Sequence, residues 1–193
     1  MTHFDVFNGD ADGLCALHQL RLAEPRDSVL VTGLKREIAL VGRVDARPGD
    51  AVTVFDVSLG ANRDAVEALL DRGVAVRYFD HHYAGDPIAH PAFESHIDTS
   101  PGVCSGILVD RYLGGAQRPW AIASAFGDNL HEAAQDLAAS RGLSAREVDE
   151  LSSLTMAMLA IDPKARPPLD ALRTLLRKLA RCDLEPSPPT HEE

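Results

Sequence analysis

Short apolar runs alternate with longer stretches of helical period through the first part of this chain. Residues 4–7, 29–32, 51–55 and 74–79 are brief, rich in valine and phenylalanine, and bounded by polar or glycine-containing segments, which predicts β-strands. The fourth run is nearly continuously apolar and suits a strand buried on both faces. Between the runs, residues 14–22 predict a helix stopped near Pro25, residues 35–43 a short helix, and residues 62–70 a helix closed by Gly73. Pro48-Gly49-Asp50 is a turn signal. Strand and helix in alternation predict βαβ units, and so a parallel sheet with right-handed crossovers.

The rhythm changes after His82. Residues 83–95 read as a loop carrying Gly85, Pro87 and Pro91. A short run around Ile97 ends at Asp98, and a small-residue segment over 99–106 leads into a helix over 107–113. Helices are predicted over 120–126 and 130–139. The next starts at Ser144 with Glu147 three positions on, the spacing of a capping box, and carries the apolar stripe Val148, Leu151, Leu154, Met158 and Ile161. A last helix follows Pro167-Pro168, with Leu169, Leu172, Leu176 and Leu179 on one face. The expected fold is α/β: a parallel Rossmann-like sheet of about five strands in residues 1–114 with helices on both faces, a C-terminal helical extension packed on it over 115–184, and a disordered proline-rich tail over 185–193.

Composition narrows this further. With 193 residues, 45% of them hydrophobic, the chain is long enough for one α/β domain with a substantial core. A formal charge of −10 excludes long-range attraction to nucleic-acid phosphate as a property of the whole surface. The three cysteines (Cys15, Cys104, Cys182) are far apart, which argues against a zinc finger or disulfide scaffold and fits a reducing compartment. No secretory leader is visible at Met1, and no apolar run approaches the roughly 20 residues of a membrane span, so a cytoplasmic protein is expected.

The candidate chemistry sits where apolar runs end. The first runs into Asn8-Gly9-Asp10-Ala11-Asp12-Gly13, the third into Asp56, the fourth into Asp80-His81-His82, and the run around Ile97 into Asp98. In an open parallel sheet the carboxyl ends of the strands build the site. Carboxylates crowded there cannot stay ionised together without a strong cation, so the pattern points to a metal centre.

This ordered set resembles the DHH phosphoesterase superfamily, which includes RecJ-type exonucleases, nano-RNases, cyclic-dinucleotide phosphodiesterases and family II pyrophosphatases. The resemblance spans residues 4–113. It implies Asp10 as a ligand of a first metal, Asp12 and His81 as ligands of a second, Asp56 as the carboxylate shared by both, His82 as the residue facing the substrate phosphate, and Asp98 as the last metal-binding aspartate. Asp56 and His82 are then the catalytic pair. The implied cofactor is Mn²⁺, two ions, with Mg²⁺ as an alternative. Carboxylates with an imidazole suit such ions, which activate water and clamp phosphoryl oxygens. The implied function is a Mn²⁺-dependent phosphoesterase acting on phosphodiester bonds of a short or single-stranded nucleic acid or a small nucleotide.

The chain also departs from the pattern. Some branches of the family carry a metal-binding His four residues before the first Asp, where this chain has Val6, or an Asp two residues before it, where this chain has Asn8. The glycine-rich segment of the usual second domain, which holds the substrate, is not found. The alternative is therefore a catalytically weak or inactive nucleic-acid- or nucleotide-binding module, or a chain whose partner or second subunit supplies that domain. Asn8, Asp80 and Asp128 are candidates for a weak ligand or a supporting position, and Asp128 otherwise caps a helix. Arg173 and Arg177, opposite the last leucine stripe, either form a solvated face or contact substrate phosphate.

Overall fold

The computed structural model describes residues 1–34 and 36–159. Five strands are present among them: β1 (His3–Asn8), β2 (Val29–Gly33), β3 (Ala51–Phe55), β4 (Ala75–Asp80) and β5 (Phe93–Ile97). They form one sheet in the order β2-β1-β3-β4-β5, and every pairing is parallel. The helices are α1 (Ala11–Ala23), α2 (Leu59–Asp71), α3 (Ser105–Tyr112), α4 (Arg118–Gly127), α5 (His131–Ser140) and α6 (Ala145–Leu159).

Strand alternation divides the core. Phe4 and Val6, Val52 and Val54, and Val76 and Tyr78 face one side, where Leu59, Val66 and Leu70 of α2 cover them. Phe7, Phe55 and Phe79 face the other, against Leu14, Leu17 and Leu20 of α1 and Leu108 and Val109 of α3. Phe55 and Phe79 stack with centroids 5.7 Å apart. Because β1, β3 and β4 are covered on both faces, their sequences lack polar alternation at the carboxyl end.

α4 packs on α1, and α5 and α6 pack in turn on α4. At the start of α6 the Ser144 hydroxyl and the Glu147 carboxylate form the expected capping box: Ser144 N donates to Glu147 Oε2 at 2.7 Å and Glu147 N to Ser144 Oγ at 3.4 Å. Val148 and Leu151 of its stripe enter the cluster around Ile107 and Ile122. Ile161, Arg173, Arg177, the predicted last helix and the tail lie outside the described residues.

Three local expectations are corrected. Among the described residues of 35–43, only Val41–Arg43 is helical, as a 3-10 turn, because the segment is held by long-range bonds instead, such as Val41 N to Asn62 Oδ1 at 3.1 Å. α2 starts three residues early, at Leu59, whose N–H donates to Asp80 Oδ2 at 3.3 Å. β5 lies partly inside the stretch read as loop. Its side chains are mostly exposed or half-buried, so hydrophobic periodicity there is weak. Among the described residues no helix is long and apolar enough to cross a membrane.

Candidate metal centre

The three central strands β1, β3 and β4 are neighbours, so the segments that follow them meet at one edge of the sheet. After β1 the chain turns tightly into α1. A Cβ on Gly13 would collide with the carbonyl of Asn8, so the turn requires glycine. Asp10 caps α1, accepting the Gly13 N–H at 3.2 Å. Asp12, almost wholly buried, points across to the start of α3. Its Oδ2 accepts the Ser105 N–H and its Oδ1 the Gly106 N–H, each at 2.8 Å, and Oδ1 also takes the Ser124 hydroxyl of α4. One acceptor position remains on Oδ2, the oxygen that lies 3.7 Å from His81 Nε2.

Asp56 follows β3 with φ +55°, in the left-handed region that aspartate tolerates better than most residues. This backbone kink at a candidate ligand is the kind of local strain that accumulates at functional sites. Its Oδ1 lies 3.3 Å from His81 Nε2 and 3.9 Å from His82 Nδ1, and accepts the Ser105 hydroxyl at 3.3 Å. His82 Nδ1 bonds the buried Asp80 Oδ1 at 2.7 Å. Asp80 therefore supports the ring from behind, and His82 keeps its Nε2 for other work. His81 Nε2 is also 3.6 Å from Asp128 Oδ2. Two sets of three ligand atoms result, Asp56–His81–His82 and Asp12–His81–Asp128, each with all atoms within 4.8 Å of one another.

Burial pushes the Asp56 carboxyl well above the usual carboxylate range, and the charges of Asp12 and Asp10 push it further. His82 is raised, chiefly by its bond to Asp80 and against the opposing effect of burial. Burial and the nearby Asp12 also raise the Cys15 and Cys104 thiols, which keeps both protonated and suits packing rather than ligation.

A cavity of about 90 Å³ opens beside the cluster, lined by Asn8, Asp10, Asp56, His82 and Asp128. Asn8 Oδ1 is buried there and has no hydrogen-bond partner among the described residues. An orphaned amide oxygen, a crowded set of carboxylates and an imidazole together form a donor set of the kind that holds Mn²⁺ or Mg²⁺. The residues thus fit the implied metal.

Of the sequence candidates, Asn8, Asp10, Asp12, Asp56, Asp80, His81, His82 and Asp128 come together. Asp98 is not brought to the cluster. Its carboxylate accepts the Ser100 N–H at 2.9 Å and the Arg111 guanidinium at 3.0 Å, and these partners hold its pKa below the usual range. The reason is topological: Asp98 follows β5, the edge strand beyond β4, and so sits farthest from β1 and β3. Asp128 arrives instead at the end of α4, where the next residue, Asn129, has φ +59° and reverses the chain. Ser105 and Ser124 were missed, since a serine in a helix carries no sequence signal for a carboxylate many residues away.

No family model matches the chain, and no curated protein matches it. Among solved structures it is similar to the manganese-bound exonuclease RecJ, with a TM-score of 0.52 and 17% identity, covering 93% of this chain and 51% of that one. It is also similar to RecJ from Thermus thermophilus in complex with Mn²⁺ (TM-score 0.45, 17% identity, 93% of this chain and 34% of that one). A third is an uncharacterized protein from Helicobacter pylori (TM-score 0.45, 12% identity, 92% and 62%). The chain spans about half the length of the first of these structures. The likeness is one of fold, and the fold is RecJ-like.

Proposed function

We propose that this chain is a Mn²⁺-dependent phosphoesterase of the DHH superfamily that hydrolyses phosphodiester bonds in a short or single-stranded nucleic acid or a small nucleotide. The observation that carries this reading is the crowding around Asp56: a buried carboxylate beside Asp10 and Asp12, with two imidazoles in reach, is an arrangement whose like-charge repulsion a bound divalent cation would relieve. The manganese-bound exonuclease that shares the fold supports the same reading.

Asp10, Asp12, Asp56 and His81 would hold the metal, with Asp128 in the role expected of Asp98 and Asn8 Oδ1 as a neutral donor. When bound, two such ions supply an activated water and neutralise the phosphoryl oxygens. The chain's own residues do the rest. Asp80 orients His82 through Nδ1 and favours its cationic form, so that Nε2 can donate to a phosphate oxygen. Ser105 and Ser124 hold Asp56 and Asp12 in place.

The test is incubation with Mn²⁺ and a panel of short oligonucleotides, cyclic dinucleotides, phosphoadenosine phosphate and bis-p-nitrophenyl phosphate. Cleavage that Asp56→Ala abolishes is the expected result. Absence of any such cleavage would sink the catalytic reading. A second reading, a non-catalytic binding module, is favoured by one observation: Val6 is fully buried in the apolar core and offers no ligand where some relatives have histidine. Calorimetric titration separates the two, with two tight Mn²⁺ sites for the enzyme and one weak site or none for the module.

A further inference from the structure

We propose that Tyr83 is a stacking platform for the nucleobase next to the phosphate held at the metal centre, with Ile38 as an apolar contact at the same mouth. This inference rests on the phosphoesterase reading above. Its starting point is size. A cavity of about 90 Å³ accommodates ions and a phosphoryl group, whereas pockets that engulf a whole small ligand run from roughly 300 Å³ upward. The nucleoside of any substrate must therefore lie outside, on the surface that borders the cavity.

Two large apolar side chains on the segments that line the cavity are exposed to water. Ile38, which lines the cavity, is 56% exposed, and Tyr83, the residue after His82, is 80% exposed. Isolated exposed apolar residues are common. Tyr83 differs because its backbone is tethered while its ring is left out. Its carbonyl accepts the hydroxyl of Ser58, a cavity-lining residue, at 3.2 Å and the Gly60 N–H at 3.4 Å. Arg63 then holds the carbonyls of Ala84, at 3.0 Å, and Asp86. A Cβ on Gly60 would come within 3.0 Å of the Tyr83 carbonyl, so α2 and this segment touch backbone to backbone. A flat ring on a fixed support loses little freedom when a second flat ring lies on it. Stacking of this kind accepts any base, since each has a π-face.

The test compares a trinucleotide with the same trinucleotide made abasic throughout, both with Mn²⁺, in parent, Tyr83→Ala, Tyr83→Phe and Tyr83→Trp. Tyr83→Ala should lower the kcat/KM preference for the base-bearing substrate about tenfold, the scale of one aromatic–base stack, mainly through KM. Tyr83→Phe and Tyr83→Trp should retain the preference. Because Tyr83 is exposed, the variants should fold, which circular dichroism checks. If the parent cleaves both substrates and Tyr83→Ala leaves the preference as it was, stacking is overturned and the phosphoesterase reading stands. If the parent cleaves neither, the oligonucleotide form of that reading fails, and a trinucleotide containing 2-aminopurine, titrated in Mg²⁺, decides stacking alone. Fluorescence quenching by the parent that Tyr83→Ala loses supports it, and no quenching overturns it.

Discussion

Asp5 and Asp56 lie on or just after neighbouring strands, and both are buried. Their surroundings are opposite. Burial alone would raise the Asp5 carboxyl, but Arg21, bonded at 2.8 and 2.5 Å, His3 and Ser28 outweigh it and hold the pKa at about 2. Asp56 is buried among other carboxylates and is pushed the other way. Two buried aspartates on one sheet thus differ in where the counter-charge comes from. For Asp5 it is written into the chain as Arg21. For Asp56 burial and the neighbouring carboxylates favour the neutral form, and on the proposed function a bound cation would supply the counter-charge, which singles out the carboxyl edge as the candidate site.

The contrast can be broken most directly by removing each charge. Asp5→Asn leaves Arg21 without its partner and should cost about 3 kcal/mol of stability. Asp56→Asn relieves like-charge repulsion and should cost nothing, or stabilise, when metal is chelated. Urea unfolding in EDTA measures both, and the reverse ranking would end the comparison. Acid is the next lever. Because the folded pKa of Asp5 lies below its unfolded value, its contribution is complete above about pH 4 and is lost as pH falls toward 2. The drop from 3.8 to about 2 is worth roughly 2.5 kcal/mol. Unfolding free energies of parent and Asp5→Asn should converge by roughly 1.6 kcal/mol of this between pH 5 and pH 2.5, the rest being lost only as pH falls through the folded pKa. The smallest effect sharpens the membership of the site. Asp128→Ala should weaken Mn²⁺ binding by at least about tenfold, and Asp98→Ala should leave it unchanged, as read by calorimetry.

The central strands were legible because β1, β3 and β4 are buried on both faces, and continuous apolar runs such as that ending at Phe79 survive in the sequence. The clustering of Asp10, Asp12, Asp56 and the two histidines was legible because topology places neighbouring strand ends together. Asp98 and Asp128 show the limit. Both follow apolar segments, and only strand order and helix docking decide which carboxylate reaches His81. Asp5 was overlooked for a similar reason: an acidic residue inside a strand announces itself as structural only once Arg21 is seen one helix away.

The bonds of Asp12 also bear on the order of events during folding. Its partners Ser105, Gly106 and Ser124 are 93, 94 and 112 residues downstream. Contacts of such separation form after local ones, because the loop they close must first lose its entropy. A nascent chain that has already paired β1, β3 and β4 therefore still lacks the geometry of its candidate metal centre until α3 and α4 dock. The amides of Ser105 and Gly106 record that moment. Their hydrogen exchange should be slow in the intact protein and quicken in Asp12→Ala, while the amides of β3 stay protected.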